Sequence, residues 1–304
     1  MSRLAELEPG VALDRLCELC RRMLAASDLD ARLTVVLASL AELFDVRHTM
    51  LFVPAGDDSL TTVASHGYPP GGVGASVPIG QGLVGMAAKR KRTLTVTNLE
   101  RGLNMVRAIH TSATPAASDV RDIPFVGIVN AQSQLAVPLL IGDDLLGVLY
   151  AEDTRPGAYG HCHEQIVEIV AYALARDLSS ESEAPIQHDA SVAAPGGALP
   201  LRVQYYPADS SVFFDGEYVI KSLPGSILHR VLHDYVESGR VDFTLKELRL
   251  DPELQNHIGR DNLDARLILL RRRLQERFPF VRIVRTGRGR FRLELDRAAV
   301  LQKA

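Results

Sequence analysis

Long apolar runs are missing from this 304-residue chain. The most continuous, Leu135 to Ile141 and Leu145 to Tyr150, fall far short of the roughly 20 residues that span a bilayer, so no membrane association is expected. The opening Met-Ser-Arg-Leu-Ala-Glu-Leu-Glu lacks an apolar signal core, and a cytoplasmic location is the expectation. Cysteine is scarce. Cys17, Cys20 and Cys162 are an odd number, which argues against a disulfide framework. No internal repeat is visible. No nucleophile–base pair, facing carboxylates or metal-ligand cluster stands out, so the chain is not expected to be an enzyme, and no cofactor is named by its residues.

Charge is where the sequence becomes informative. Residues 1–200 carry 15 Lys and Arg against 23 Asp and Glu, a net of −8, whereas residues 201–304 carry 19 against 14, a net of +5. Within 262–292 there are ten arginines and only Asp264 and Glu276 to offset them, a net of +8. A basic cluster on an otherwise acidic chain is the electrostatic footprint of a nucleic-acid-binding module, with a solvated arginine-rich helix as the plainer reading.

The two halves are separated by residues 179–200, SSESEAPIQHDASVAAPGGALP, which is polar, proline-bearing and without hydrophobic period. It reads as a flexible linker between a domain over 1–178 and another over 201–304. In the first half, Val11, Leu16, Leu19 and Met23, then Leu33, Val36, Leu37, Leu40 and Phe44, recur at helical spacing. Strand-like runs follow at Thr49–Val53, Leu60–Ser65 and Thr93–Thr97. SQLAVPLLIGDDLLGVLYAED then reads as a hairpin, and a last helix is expected from about Cys162 to Leu178. Helices packed on an antiparallel sheet make the class α+β.

The order IGQGLVG, LAVPLL, GDDLLGVLYAED and a closing amphipathic helix resembles the GAF family of sensory domains over about residues 15–178. The resemblance implies a six-stranded antiparallel sheet with a ligand pocket on one face, and a homodimer formed through the first and last helices. It places Met50, Phe52, Met86, Met105, His110 and Phe125 at the pocket for an unidentified small molecule. His110 is a candidate haem ligand, on the frequency with which His ligates haem iron. No cysteine lies between Asn104 and Asn130 for bilin attachment, and the signature of cyclic-nucleotide-binding members is not evident.

Several local motifs invite stronger readings that their context does not support. Gly80-Gln81-Gly82-Leu83-Val84-Gly85 matches a dinucleotide fingerprint by letter but lacks the surrounding βαβ unit. A turn entering a helix, with glycines allowing positive φ and close packing, is expected instead. Lys89 to Arg92 suit a helix C-terminus. Cys17 and Cys20 share a helix face and read as small buried residues at a helix or dimer seam, with redox pairing as the rival. His161-Cys162-His163 reads as a capped helix start at the surface. His229 and His233 read as ordinary, partly buried histidines.

In the second half, Val212–Phe214 and Tyr218–Ile220 flank an Asp-Gly turn, and a helix is expected from about Ser226 with Ile227, Val231, Leu232, Tyr235 and Val236 inward. Thr244–Leu248 is a short helix, Asp261 caps another running to about Arg277, and FVRIVRTGRGRFRLEL is a hairpin turning at Gly287-Arg288-Gly289. This set resembles the winged-helix effector domain of response-regulator transcription factors of the porin-regulator type, over about residues 201–295. Asn262 to Leu274 correspond to the recognition helix and Arg285 to Leu293 to the wing. The resemblance implies DNA as partner, contacted by Arg266, Arg271, Arg272, Arg273, Arg285, Arg288 and Arg290. Leu263, Leu267, Leu270 and Leu274 form one stripe, expected to be buried, which would turn Ala265, Ile268, Leu269 and Arg272 outward. Exposed Ile268 and Leu269 would suggest protein contact instead of DNA.

Overall fold

The computed structural model describes residues 8–55, 58–69, 72–99, 123–124, 127–179, 200–252, 254, 262–287 and 289–303. The chain divides into two compact units, residues 1–54 with 58–179 in one and the rest of the chain in the other. The linker expected over 179–200 lies, beyond Ser179 and before Pro200, outside the described residues.

The first unit opens with α1 (Pro9–Ala25) and α2 (Leu29–Phe44). Asp28 starts α2 by accepting a hydrogen bond from the Ala31 backbone N–H at 2.9 Å, a cap worth about 1 kcal/mol. Asp45 ends the helix in the left-handed conformation, at φ 57°. Strands β1 (His48–Ala55), β2 (Ser59–His66) and β3 (Ala75–Pro78) follow, then α3 (Gly82–Arg90), β4 (Leu94–Val96) and β5 (Ile123–Pro124). The hairpin β6 (Ser133–Ile141) and β7 (Asp144–Asp153) leads to α4 (His161–Ser179).

These strands make one sheet in the order β4-β6-β7-β1-β2-β3-β5. It is antiparallel except at its edge, where the two-residue β5 runs parallel to β3, so the expected six strands become seven. Strand alternation sorts the core into two layers. Met50, Phe52, Leu60, Val77, Ala136, Val148 and Tyr150 meet Val84, Ala87 and Ala88 of α3 on one face. Leu51, Leu135, Val137, Leu149 and Ala151 alternate with them and are buried on the other, where α2 and α4 pack.

The glycine-rich motif is structural. Gly80 and Gly82 have φ of 92° and 60°, and a Cβ on Gly85 would lie 2.2 Å from the Pro78 carbonyl oxygen. The turn therefore enters α3 with its backbone pressed against β3, a packing that only glycine allows.

The second unit begins with β8 (Leu201–Tyr206), β9 (Ser211–Phe214) and β10 (Glu217–Ile220). The β9–β10 turn has positive φ at both Asp215 and Gly216, as a two-residue hairpin of this twist requires. Next come α5 (Ser222–Ser238), β11 (Asp242–Thr244), α6 (Leu245–Leu250), α7 (Leu263–Arg277), and strands β12 (Val281–Gly287), β13 (Arg290–Leu295) and β14 (Ala299–Lys303). Thr244 and Glu247 form a reciprocal capping box at α6. Asn262, not Asp261, caps α7, accepting from the Ala265 N–H at 3.1 Å. Two sheets result, β10-β9-β8-β14 and β11-β13-β12. The last strand, β14, pairs in parallel with β8 and lies beyond residues 201–295, the stretch the family resemblance covers. On α5, Ile227, Leu228, Val231 and Leu232 are buried, while Val236 is exposed, contrary to expectation.

Candidate functional site

On the α3-covered face of the first unit, β1 and β7 set His48 opposite Glu152, Met50 opposite Tyr150 and Phe52 opposite Val148. Of the six expected pocket residues, Met50 and Phe52 are brought onto this face and are fully buried there. Met86, on α3, is half-buried. Met105, His110 and Phe125 lie outside the described residues, as does most of the long connection between Asn104 and Asn130.

Sequence reasoning missed the polar end of this face. Glu152 is buried and accepts three hydrogen bonds: from the Tyr68 hydroxyl at 2.9 Å, the Tyr150 hydroxyl at 2.8 Å and the Ile128 backbone N–H at 2.6 Å. The ring of His48 packs edge-on against Tyr68. Burial first, and then the charge of Glu152, push the Tyr68 and Tyr150 phenols well above their ordinary range, so both remain donors. Burial likewise raises the nearby Tyr159, whose buried hydroxyl has no hydrogen-bond partner among the described residues. Gly127 comes so close that a Cβ there would sit 2.9 Å from a Glu152 carboxylate oxygen. The carboxylate thus anchors the chain where the long connection returns to the sheet. The only sequence signal was alternation along Val148, Tyr150 and Glu152, which puts an acid on the apolar face.

Beside this cluster, Arg155 grips Asp153 through Nε at 2.9 Å and reaches Asp45 at 2.6 Å. Burial works against the Asp153 charge, but the bonds from Arg155 hold its carboxyl below the usual carboxylate range. Burial holds His163 below the usual histidine range, opposed by its hydrogen bond to the Phe44 backbone.

In the second unit the basic cluster is sorted by burial. Arg266 and Arg273 are 3% and 6% exposed. Arg273 donates to the Val219 carbonyl at 3.1 Å, and burial depresses its ionisation, so these two arginines hold the interior and do not present charge as expected. Arg272 is half-buried and similarly depressed by burial. The leucine stripe is buried at Leu263, Leu270 and Leu274, as expected, with Leu267 partly exposed, but most of the face expected to point outward is buried too: Ala265, Ile268 and Leu269. The cause is packing from several sides. Helix α7 touches α5, α6, β10 and β12, which leaves a strip along Asp264, Leu267, Arg271 and Gln275, with Arg272 half-buried beside it and Glu276 and Arg277 exposed in the last turn. The exposed aliphatic pair that suggested protein contact does not exist.

That strip borders a shallow groove lined by Asp264, Leu267, Ile268, Arg271, Ile283, Arg285 and Phe291. Helix α7 and the β12–β13 hairpin form its two walls, so Arg271 and Arg285 come from different elements to one place. Arg290 is half-buried at the start of β13, and Arg288 lies outside the described residues. Several arginines are tied to carboxylates: Arg292 to Asp242 by two bonds of 2.8 Å, Arg282 to Glu294 and Asp296, Arg277 to Glu217, and Arg285 to Asp264 at 3.9 Å.

Among the described residues no group of His, Cys, Asp and Glu is placed to hold a metal ion. His229 stacks on Tyr205 at 3.9 Å between ring centroids. His161 is exposed, whereas Cys17 and Cys20, expected to be buried, are both exposed. No described helix is long and apolar enough to cross a membrane.

Among the described residues, an antiparallel sheet carrying helices on one face and one short helix on the other defines a small α+β unit. Residues 28–178 match the GAF domain family, and this stretch of the chain is a GAF domain. Similar solved structures include the GAF domains of phosphoenolpyruvate-protein phosphotransferases from Acinetobacter (19% identity, 58% of this chain and 94% of that one, TM-score 0.43) and Coxiella burnetii (20%, 56% and 94%, 0.44). Free methionine-R-sulfoxide reductase from Neisseria meningitidis, in complex with its substrate, is another (19%, 58% and 95%, 0.43). No curated protein matches the chain.

Proposed function

We propose that the chain is a signal-responsive transcription regulator in which the GAF domain receives a small molecule or redox signal and the second unit, a winged helix, binds DNA as part of a homodimer. The observation that carries the DNA reading is the meeting of Arg271 from α7 and Arg285 from β12 at one groove. A helix and an adjacent hairpin that converge basic side chains suit a duplex, where phosphate contacts position the protein and groove contacts specify sequence. The excess of arginine over 262–292 supplies the long-range attraction. The DNA-facing set narrows to Arg271, Arg272, Arg285 and Arg290, with Arg288 retained from the sequence alone. Leu267, on the exposed strip, suits contact with thymine methyls.

The small-molecule reading rests on the GAF fold and on the buried face containing Met50, Phe52 and the Glu152 cluster. Exposed Leu13 and Leu24 on α1, with Ile169 and Tyr172 on α4, support the homodimer. No catalytic step is assigned. Titrating the full chain into a fluorescent duplex at low salt tests the proposal: a saturating rise in polarization supports it, and a flat trace refutes the DNA-binding assignment.

A further inference from the structure

Four residues on the outer side of α1 form an unusual stripe. Leu13, Cys17, Cys20 and Leu24 are all exposed, Leu24 to 82%, and follow one another at steps of four, three and four. That spacing is the seam of a coiled coil. The same helix buries Ala12, Leu19 and Met23, so at about 100° per residue the stripe lies roughly a quarter-turn away from its own domain's core. Read in either direction, the stripe is Leu-Cys-Cys-Leu. Beyond it on one flank stand Asp14 and Arg21, both exposed; Arg21 pairs with Glu18 in its own helix while its side chain stays 71% exposed.

A palindrome of this kind, flanked by one acid and one base, is what a two-fold axis requires. In an isologous contact, residue i meets residue j while j meets i. We infer that α1 packs antiparallel on the α1 of a second copy of this chain, with Cys17 facing the partner's Cys20, and that oxidation locks this contact through two symmetric disulfides. Leu13 then lies against the partner's Leu24, and Asp14 comes beside the partner's Arg21. The inference rests on the homodimer reading above and specifies its geometry and its control.

Pairing between chains is also favoured by distance. Neighbours three apart on a helix have Cβ atoms about 5–6 Å apart, whereas a disulfide needs about 3.5–4.5 Å, so Cys17 and Cys20 of one α1 cannot join without distorting the helix. A hydroperoxide supplies the chemistry. The Cys17 sulfur attacks the peroxide, the O–O bond breaks, one alcohol or water leaves, and a sulfenic acid forms. The partner's Cys20 thiol then displaces the sulfenic oxygen as a second water, giving the S–S bond. Each bond consumes two thiols and one peroxide, and a thiol reductant reverses it.

The test uses the full chain with Cys162→Ser, so that only the α1 cysteines remain. Light scattering under reducing conditions reports the dimer, and a non-reducing gel after hydrogen peroxide reports the link. The expected result is a dimer in both states, with a cross-linked band of twice the chain mass that dithiothreitol removes. Cys17→Ser and Cys20→Ser, each oxidised alone, should lose the band, whereas an oxidised mixture of the two variants should regain it as a heterodimer. Leu13→Glu with Leu24→Glu should yield monomer. A reduced wild-type protein that is monomeric overturns the homodimer reading as a whole. A dimer that does not cross-link, that cross-links in either single variant, or that forms only an intrachain bond overturns this arrangement and leaves the homodimer standing.

Discussion

The guanidinium of Arg285, on β12, lies 3.9 Å from the carboxylate of Asp264, in the first turn of α7. The contact spans the groove walls and places a negative charge where DNA phosphates are proposed to lie. Asp264 therefore weakens the polyanion's hold on Arg285 and restrains the hairpin against the helix. Asp264→Asn should tighten duplex binding about fivefold, equivalent to ~1 kcal/mol for a partly exposed charge. Polarization titrations of the two proteins side by side measure it, and unchanged affinity would place the duplex away from this groove.

Arg273 should behave in the opposite way. Its buried side chain serves the Val219 carbonyl and its surroundings. Arg273→Ala leaves that acceptor unsatisfied and removes packing, costing about 1–3 kcal/mol. The urea midpoint should fall, while the salt dependence of DNA binding stays that of the wild type. A stable variant with weakened DNA binding would return Arg273 to the interface.

Glu152 offers a comparison within one site. Glu152→Ala strands the Tyr68 and Tyr150 hydroxyls and the Ile128 N–H in a buried place, for a loss of about 3 kcal/mol or more. Glu152→Gln keeps an acceptor and should cost clearly less. Equal losses on urea unfolding would show that the hydrogen bonds are not what Glu152 contributes.

The Asp153–Arg155 contact should appear in the acid limb of stability. Asp153 is depressed below its ordinary 3.8 in the folded state. Its contribution is therefore fully present above that value and is lost as pH falls below it, through the folded-state ionisation. Arg155→Met should lower stability at neutral pH and flatten this limb. Parallel stability–pH curves for the two proteins would show that the ion pair contributes nothing to acid stability.

How far the chain could be read in advance depended on where the information lies. Alternation and helical period are local, so β1, β2, the β6–β7 hairpin and α2 were legible, as was the GxGxxG turn once its flanks lacked a crossover. β14 was not, because its partner β8 lies about one hundred residues away and a short parallel edge pairing leaves no local pattern. The recognition-like helix failed for a related reason. Its leucine stripe implied one buried face, but packing against four elements buried Ile268, Leu269, Arg266 and Arg273 as well. In the GAF domain the apolar floor at Met50 and Phe52 was legible, but the Glu152 cluster was not. It is assembled from residues between Tyr68 and Glu152 that only the folded sheet brings together.

The salt dependence of DNA binding by the wild type and by the Arg271→Ala, Arg285→Ala double variant tests the central claim most directly. Counterion release predicts a log–log slope that flattens by about 0.9 for each phosphate the variant no longer neutralises, together with weaker binding at every salt concentration. A double variant with the wild-type affinity and slope would contradict the claim that these two arginines, on helix and hairpin, form the DNA-binding surface.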